Sequence, residues 1–304
     1  MNSIFLSTEV LVGLFVESLL ILTLSYALFQ GLLILQKTKL ASTREVQDAL
    51  DKKSYLVSTL VSLAFVVKVL LLVFFTYTLD ELTHIIPGAM CVTGVLGTNQ
   101  YGTPLFLLKV AILLSSSLWL VMSKKDFSKR ILVFLVLYIL IVSEFILTLS
   151  FLSNISTESI ASCCSVKYIS EDNPIPFDLS QVTLVQLFYL FYIFVMLSIY
   201  KKSKLFLFLS VSAFVYIAYY ALVYFFGTYI YADAAHKCPF CMLKQEYNFI
   251  GYFIYASLFL GVFFSLIYII FNNDKYMQKR VSIVFTLFLL LLSVNFIISK
   301  VFLM

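Results

Sequence analysis

The stretch His236-Lys237-Cys238-Pro239-Phe240-Cys241 separates two long apolar segments, residues 205–228 and 248–271. A segment of about 20 mostly apolar residues is long enough to cross a lipid bilayer as a helix. We therefore expect these six residues to lie at the membrane surface, where one helix ends and the next begins. The two cysteines are three positions apart, so they can form a disulfide or bind one metal ion once a turn brings them together.

The composition indicates a membrane protein. Of the 304 residues, 62% are hydrophobic and only 12% are charged, and the net charge is +5. A single soluble core cannot bury that much apolar surface, so the lipid bilayer is the expected partner, and no nucleic-acid partner is indicated. Eight segments are apolar and long enough to span the membrane: residues 10–35, 55–78, 104–123, 131–151, 181–200, 205–228, 248–271 and 281–301.

The basic residues indicate which loops face the cytoplasm. They cluster in the loop after the first segment and in every second loop after it: Lys37, Lys39, Arg44, Lys52, Lys53, Lys124, Lys125, Lys129, Arg130, Lys201, Lys202, Lys204, Lys275, Lys279 and Arg280. The positive-inside rule makes these loops cytoplasmic. With eight spans, both termini are then extracytoplasmic. The predicted fold class is an all-α polytopic membrane protein, expected in a bacterial inner (plasma) membrane.

The three opposite, extracytoplasmic loops and their edges contain every cysteine, histidine and proline of the chain: Cys91, Cys163, Cys164, Cys238, Cys241, His84, His236, Pro87, Pro104, Pro174, Pro176 and Pro239. Because the number of cysteines is odd, at least one thiol lacks an intramolecular disulfide partner. The adjacent Cys163 and Cys164 rarely bridge each other, since that disulfide strains the peptide between them. Each is therefore available to pair elsewhere.

The spacing of the two histidines suggests an internal repeat. His84 and His236 lie 236 − 84 = 152 residues apart, which is half of the 304 residues, and each precedes a cysteine in an outer loop. Two parallel four-helix halves, residues 1–152 and 153–304, would have this spacing. The first half carries the loop with Cys91. Residue identity between the halves is low, so a coincidence of spacing is the alternative.

Four ionisable residues lie inside predicted spans: Glu17, Lys68, Lys109 and Glu144. Charged groups are costly in a bilayer and mark functional groups or structural ion pairs. At a rise of 1.5 Å per residue, the two glutamates and Lys109 are expected in one layer below the outer surface. Lys68 lies deeper and requires Glu17 or Glu144 as a partner. We interpret the cluster either as a proton path or site wall, or as an ion pair that locks helix packing.

Tyr216, Tyr220 and Tyr224 recur every four residues in the sixth predicted span. This spacing places three hydroxyls on one face of the helix that leads toward Cys238. Such a stripe can line a pocket for a quinone. The alternative is an interfacial aromatic belt or a helix-packing surface.

Spans four to seven form a unit that begins on the inside, has a cysteine-bearing first outer loop and presents Cys238-Pro239-Phe240-Cys241 at the outer start of its last helix. This plan resembles the vitamin K epoxide reductase family and, more loosely, the DsbB-type disulfide-forming membrane proteins. The resemblance implies that Cys238 and Cys241 exchange electrons with a quinone. It also implies that Cys163 or Cys164 shuttles them to a soluble thioredoxin-like protein on the outer face. The resemblance covers about half the chain; Cys91, four further helices and the adjacency of the loop cysteines fall outside it.

Thiol chemistry favours Cys238 as the nucleophile, since His236 and Lys237 place positive charge beside it and stabilise its thiolate. The predicted function is therefore extracytoplasmic thiol–disulfide oxidoreduction. A second hypothesis is a site for a soft transition metal such as copper, zinc or mercury. Its ligands would be His84, Cys91, His236, Cys238 and Cys241. A third is a non-catalytic membrane scaffold whose loops are held by structural disulfides.

Overall fold

The computed structural model describes residues 3–38, 44–122, 127–155, 175, 178–233, 236–271 and 275–302. Within these ranges the chain is helical and contains no β-strand. The α-helices are α1 (Thr8–Thr38), α2 (Arg44–Leu82), α3 (Val92–Leu96), α4 (Gly102–Val121), α5 (Phe127–Ser153), α6 (Gln181–Tyr200), α7 (Lys204–Ala221), α8 (Gly227–Tyr231), α9 (Ile250–Phe271) and α10 (Lys275–Phe302). A bilayer offers no hydrogen bonds to the backbone, so apolar spans form helices, which satisfy their own.

Among the described residues, eight helical stretches are long and apolar enough to cross a membrane, which confirms the predicted class of an all-helical membrane protein. Seven of them are α1, α2, α4, α5, α6, α9 and α10. The eighth is the continuous stretch from α7 through α8. Large apolar side chains such as Phe15, Leu70 and Leu132 are exposed along these helices. This is the surface expected where a protein faces lipid.

Two helices differ from the lengths predicted by hydropathy. Helix α2 begins at Arg44, 55 − 44 = 11 residues before its predicted apolar segment, because good helix formers such as arginine, glutamate and lysine extend it beyond the apolar part. A π-helical turn, Leu222–Phe226, joins α7 to α8. A Cβ atom on Gly227 would lie 2.7 Å from the Leu222 carbonyl oxygen, so only glycine fits after this wide turn.

The chain divides into two compact units. Unit 1 comprises Met1–Pro87 and Val95–Ile160, and unit 2 comprises Gly88–Gly94 and Ala161–Met304. Each unit contains four of the eight spanning stretches. The segment Gly88–Gly94, which carries Cys91, therefore belongs to unit 2, although the helices before and after its loop belong to unit 1.

In unit 1, α1 packs against α2 and α5, and α4 packs against the same two helices. Trp119 is buried in the core, with its ring 5.7 Å from the Phe65 ring and 6.4 Å from the Phe134 ring. The Arg130 guanidinium lies 4.2 Å from the Trp119 ring centroid and donates a 3.2 Å hydrogen bond to Ser58 Oγ. A buried cation on an aromatic face thus joins the start of α5 and the end of α4 to α2.

In unit 2, α7 packs against α6 and α9, and α10 packs against α9, α6 and α8. Phe188 occupies the centre of the core, and its ring lies 5.4 Å from that of Phe214, 5.3 Å from that of Phe226 and 6.2 Å from that of Phe288. Tilted and edge-to-face aromatic contacts of this kind add stability beyond the area buried. This core supports α8, from which the chain enters the cysteine-bearing loop.

Candidate functional site

Three cysteine sulfurs of unit 2 lie within 4.8 Å of one another, those of Cys91, Cys238 and Cys241. All three side chains are buried. Cys238 Sγ lies 3.5 Å from Cys91 Sγ. Cys91 takes part in a disulfide, whereas Cys238 and Cys241 are in the thiol form. The site therefore places a dithiol beside one sulfur of a disulfide. The remaining cysteines, Cys163 and Cys164, lie outside the described residues.

Two tyrosines hold the backbone of the turn between Cys238 and Cys241. The Tyr231 hydroxyl donates to the Cys238 carbonyl and accepts a 3.1 Å hydrogen bond from the Met242 N–H. The Tyr255 hydroxyl donates to the Pro239 carbonyl. Buried backbone groups need hydrogen-bond partners. Tyr231 at the end of α8 and Tyr255 in α9 therefore fix the turn that lies between these two helices.

A glycine lets α9 approach the second cysteine. A Cβ atom on Gly251 would lie 2.6 Å from Met242 Cγ and 2.9 Å from the Met242 carbonyl carbon and oxygen. Met242 directly follows Cys241 in the short 3₁₀ helix Cys241–Leu243. Close contact with backbone atoms leaves no room for a larger residue, so Gly251 sets the position of that helix.

Hydrogen bonds stabilise the thiolate of Cys238. The largest effect comes from the Cys241 side chain, followed by those of His236 and Thr93 and the backbone of Phe240, and together they lower the pKa of Cys238 to about 4 although burial opposes the shift. Thr93 Oγ1 lies 3.4 Å from the sulfur. A thiolate is the reactive form of cysteine. The lowered pKa therefore favours the thiolate form of Cys238 at neutral pH.

The two basic residues before Cys238 have different roles in the structure. The His236 side chain hydrogen-bonds to Cys238, and its ring lies 4.2 Å from the Tyr231 ring. The Lys237 ammonium instead lies 5.5 Å from the centroid of the Tyr224 ring. Of the two basic residues expected beside the thiolate, His236 is therefore the one that hydrogen-bonds to the sulfur.

The predicted tyrosine stripe forms a column of contacting rings. The Tyr216 and Tyr220 ring centroids are 5.1 Å apart, and the Tyr220 and Tyr224 rings stack at 6.1 Å with an interplanar angle of 12°. Tyr216 is 49% exposed, whereas Tyr224 is 4% exposed. The column therefore runs from the exposed surface of α7 to a buried ring beside Lys237.

The four predicted membrane charges form one cluster in unit 1. Lys109 Nζ lies 2.6 Å from Glu17 Oε1 and 2.6 Å from Glu144 Oε1. Lys68 Nζ lies 2.6 Å from Glu144 Oε2 and 3.9 Å from Glu17 Oε1. Lys68 thus has both of the carboxylate partners considered for it. His84, a candidate metal ligand, is exposed in unit 1 just after α2, where its backbone N–H donates to the Glu81 carbonyl.

Several residues of the thiol site were not among the site residues predicted from the sequence. Thr93, Tyr231, Tyr255 and Gly251 each determine the position or ionisation of a cysteine. Thr93 is two residues after Cys91, and Tyr231 follows the tyrosine stripe, so both were near recognised features. Their roles depend on contacts across more than one helix, which residue spacing alone does not indicate.

Comparisons with protein-family models, with curated proteins and with solved structures find no match to this chain. Within the part of the chain that the structure describes, the fold and the site define a helical membrane protein with eight helices long and apolar enough to span a bilayer and a buried cluster of three cysteines in unit 2. The function therefore has to be argued from the chemistry of that cluster.

Proposed function

We propose that the protein is a membrane thiol–disulfide oxidoreductase, with Cys238 and Cys241 as its central dithiol. The observation that carries the proposal is the 3.5 Å separation between Cys238 Sγ and the Cys91 Sγ of a disulfide. Thiol–disulfide exchange begins when a thiolate attacks a disulfide sulfur. A buried, low-pKa thiol in contact with such a sulfur meets that requirement.

The exchange has two steps. In the first, the Cys238 thiolate attacks Cys91 Sγ, so that a Cys238–Cys91 disulfide forms, the original disulfide of Cys91 breaks, and the leaving sulfur departs as a thiolate. In the second, the Cys241 thiolate attacks Cys238 Sγ, which forms the Cys238–Cys241 disulfide and releases Cys91 as a thiolate. Two electrons pass from the dithiol to the loop disulfide, and the proton lost by Cys241 returns to a released thiolate. The same two steps run in reverse to oxidise the loop cysteines.

In the proposal, Cys163 or Cys164 supplies the sulfur that leaves Cys91, and a soluble thioredoxin-like protein exchanges disulfides with these loop cysteines. A bound quinone supplies a two-electron acceptor for the Cys238–Cys241 dithiol. The tyrosine column supports this assignment, because Tyr216 presents an aromatic face at the exposed surface and the column ends at Tyr224 beside Lys237. Aromatic faces of this kind stack on flat ring systems.

The proposal places the protein in a bacterial inner membrane with both termini and the thiol site extracytoplasmic. The distribution of lysine and arginine supports that orientation, since the clusters lie in alternate loops. An oxidising compartment is where disulfides persist. The proposal also includes an internal repeat of two four-helix halves, supported by the equal number of candidate spanning helices in the two units.

Trapping the first exchange step tests the function. The Cys241→Ser variant retains the nucleophile and lacks the thiol that resolves the intermediate, so a Cys238–Cys91 disulfide accumulates. Non-reducing digestion and mass spectrometry identify the linked peptides. The matched variant Cys238→Ser retains Cys241 and should lack the link to residue 238. Absence of the Cys238–Cys91 link from the Cys241→Ser variant would contradict the proposal.

The quinone assignment has a separate test. Fully reduced, purified protein should convert a short-chain soluble quinone to quinol, with about two quinones consumed per chain, because the Cys238–Cys241 dithiol and the loop dithiol that exchanges with it each give two electrons. The Tyr220→Leu variant removes the middle ring of the column and should slow this reaction. Tyr200→Leu, at a fully exposed position on α6, is the control. Equal rates for the two leucine variants would remove the tyrosine column from the proposal without affecting the exchange step.

A metal site is the second candidate, and the mutual approach of three sulfurs within 4.8 Å favours it. A tetrahedral ion with metal–sulfur bonds of about 2.3 Å holds its sulfurs roughly 3.8 Å apart. Binding would require reduction of the Cys91 disulfide, because the metal ligand is a thiolate. In that case Cys238→Ser and Cys241→Ser should lower the content of bound copper or zinc alike, and neither should accumulate a new disulfide.

A further inference from the structure

The ion cluster of unit 1 is neutral, since it pairs Lys68 and Lys109 with Glu17 and Glu144, but its hydrogen bonds are uneven. Glu144 accepts 2.6 Å hydrogen bonds on both carboxylate oxygens, one from each lysine. Glu17 accepts from Lys109 on Oε1 alone. Its other oxygen, Oε2, is buried and has no hydrogen-bond partner among the described residues. A buried carboxylate oxygen without a donor is costly unless something else binds there.

A cleft reaches Glu17. It lies between α1, α2 and α5 and comprises about 410 Å³, part of which is open to solvent, and its lining runs along one face of α1 from Glu9 through Gly13 to Glu17. Eight helical positions separate the two glutamates, which corresponds to about 12 Å along the helix axis. Glu9 lies at the beginning of α1, where Ser7 Oγ donates to its carboxylate. The cleft thus extends from the end of α1 to Glu17.

A second, smaller cleft adjoins the lysines. It comprises about 190 Å³, part of which is open to solvent, and is lined by Lys68, Lys109, Glu144 and three leucines. The two lysines differ in how firmly their charge is held. Lys109 has two carboxylate oxygens at 2.6 Å and lies 4.7 Å from the Phe75 ring centroid, whereas Lys68 has one oxygen at 2.6 Å. Lys68 therefore has the fewer short contacts to the two carboxylates.

We propose that unit 1 binds and relays protons, with Glu17 Oε2 as the acceptor and Lys68 as the donor. A proton from water in the first cleft binds to Glu17 Oε2, which neutralises that carboxylate. Lys109 keeps its contact with Glu144, and Lys68 releases a proton into the second cleft. Transfer of a proton from Glu17 back to Lys68 restores the starting state. The cluster carries a charge of +1 once Glu17 has bound the proton and returns to zero when Lys68 releases one, so a low-dielectric site requires the two events to be coupled.

The charged groups that face Glu17 come from each neighbouring helix: Lys68 from α2, Lys109 from α4 and Glu144 from α5, with Glu9 at the far end of the cleft on α1 itself. A metal cation is a poorer occupant than a proton, because both ammonium groups lie against the carboxylate. This inference does not depend on the thiol site of unit 2.

The relay is tested with the full-length chain in liposomes that contain a pH-sensitive dye. A pH difference imposed across the membrane should drive proton entry faster than in protein-free liposomes. Glu17→Gln combined with Lys68→Met leaves the neutral pair Lys109 and Glu144, so this double variant retains a paired cluster but lacks the acceptor and donor. The protein-dependent flux should be lost in it. Tyr138→Phe, which removes the 2.7 Å hydrogen bond between Tyr138 and Ser25, should retain the flux.

A second variant tests the cleft without changing a charge. Gly13→Leu places a large side chain between Glu9 and Glu17 and should also lose the protein-dependent flux, whereas Val12→Leu adds bulk on the exposed side of the same helical turn and should retain it. The relay would be overturned if the wild-type chain let protons enter no faster than protein-free liposomes do. It would also be overturned if the folded double variant let protons enter as fast as the wild-type chain. A purely structural ion cluster predicts that second result.

Discussion

Thr93 Oγ1 lies 3.4 Å from Cys238 Sγ, although 145 residues separate the two residues in the chain. The contact shows why the segment Gly88–Gly94 belongs to unit 2, since it supplies both a hydroxyl and the Cys91 sulfur to the thiol site. Lys244 Nζ adds a 3.5 Å hydrogen bond to the Met90 carbonyl. The segment between α2 and α3 therefore contributes side chains to the site formed by the loop between α8 and α9.

The pH dependence of Cys238 reactivity follows from its pKa of about 4. An ordinary thiol has a pKa near 8.5 and loses reactive thiolate about tenfold per pH unit below it. Because the pKa of Cys238 is lowered, its thiolate should persist at neutral pH and decline only as the pH falls through about 4. The rate of Cys238 alkylation, followed by mass spectrometry, should be nearly constant from about pH 8 to pH 5. A tenfold fall between pH 8 and pH 7 would contradict the lowered pKa.

Removing the Thr93 hydroxyl should raise the pKa of Cys238. Thr93→Val keeps the shape of the side chain and removes one hydrogen bond to a charged sulfur, an interaction that contributes about 1.5 kcal/mol, which corresponds to roughly one pH unit. The alkylation profile of Cys238 should move upward by that amount. Thr98→Val is the control, because Thr98 donates only to the Val95 carbonyl in the same loop. Identical profiles for the two valine variants would exclude Thr93 from thiolate stabilisation.

Gly251→Ala should disturb the thiol site through the backbone. The added Cβ atom would lie 2.9 Å from the Met242 carbonyl group, so the turn that begins at Cys241 has to move. Overpacking of this kind costs about 1–3 kcal/mol. We expect a lower thermal stability and a lower yield of the Cys238–Cys241 disulfide on oxidation. Ser257→Ala on the same helix removes only a hydrogen bond to the Ile254 carbonyl and should leave both unchanged.

The sequence predicts the membrane helices well because their physics is local. Twenty apolar residues have to form a helix in lipid whatever the rest of the chain does. Residue 55 was nevertheless too late as the start of α2, since hydropathy locates the apolar part of a helix and not its polar extension from Arg44. The π-helical turn at Leu222–Phe226 carries no hydropathy signal at all.

The candidate site was only partly predictable. Cys238 and Cys241 were predicted from their spacing. Glu17 and Lys68 were predicted because charged residues are rare inside membrane spans. Cys91 contacts Cys238 although 147 residues separate them in the chain, and the spacing of residues along the sequence does not predict such a long-range contact. The preference of Lys237 for the Tyr224 ring over the thiolate is likewise decided by packing.

Accessibility to a membrane-impermeant thiol reagent tests the orientation. In a chain whose native cysteines are replaced by serine, Met90→Cys places a reporter at an exposed position beside the thiol site, and Tyr276→Cys places one at an exposed position near the start of α10. Residue 90 should be labelled in intact cells and residue 276 only after the membrane is opened, because α10 begins among basic residues. The opposite pattern would reverse the orientation.

The last prediction concerns the ion cluster as a structural element. Lys68→Met leaves Lys109 with two carboxylates, so one buried negative charge is uncompensated, and breaking a buried pair in this way costs about 3–5 kcal/mol. Adding Glu144→Gln restores neutrality and leaves the 2.6 Å pair of Lys109 and Glu17 intact. The double variant should therefore unfold at a higher temperature than the single one. Thermal unfolding in detergent measures this difference, and equal melting temperatures would mean that the four charges do not act as a neutral set.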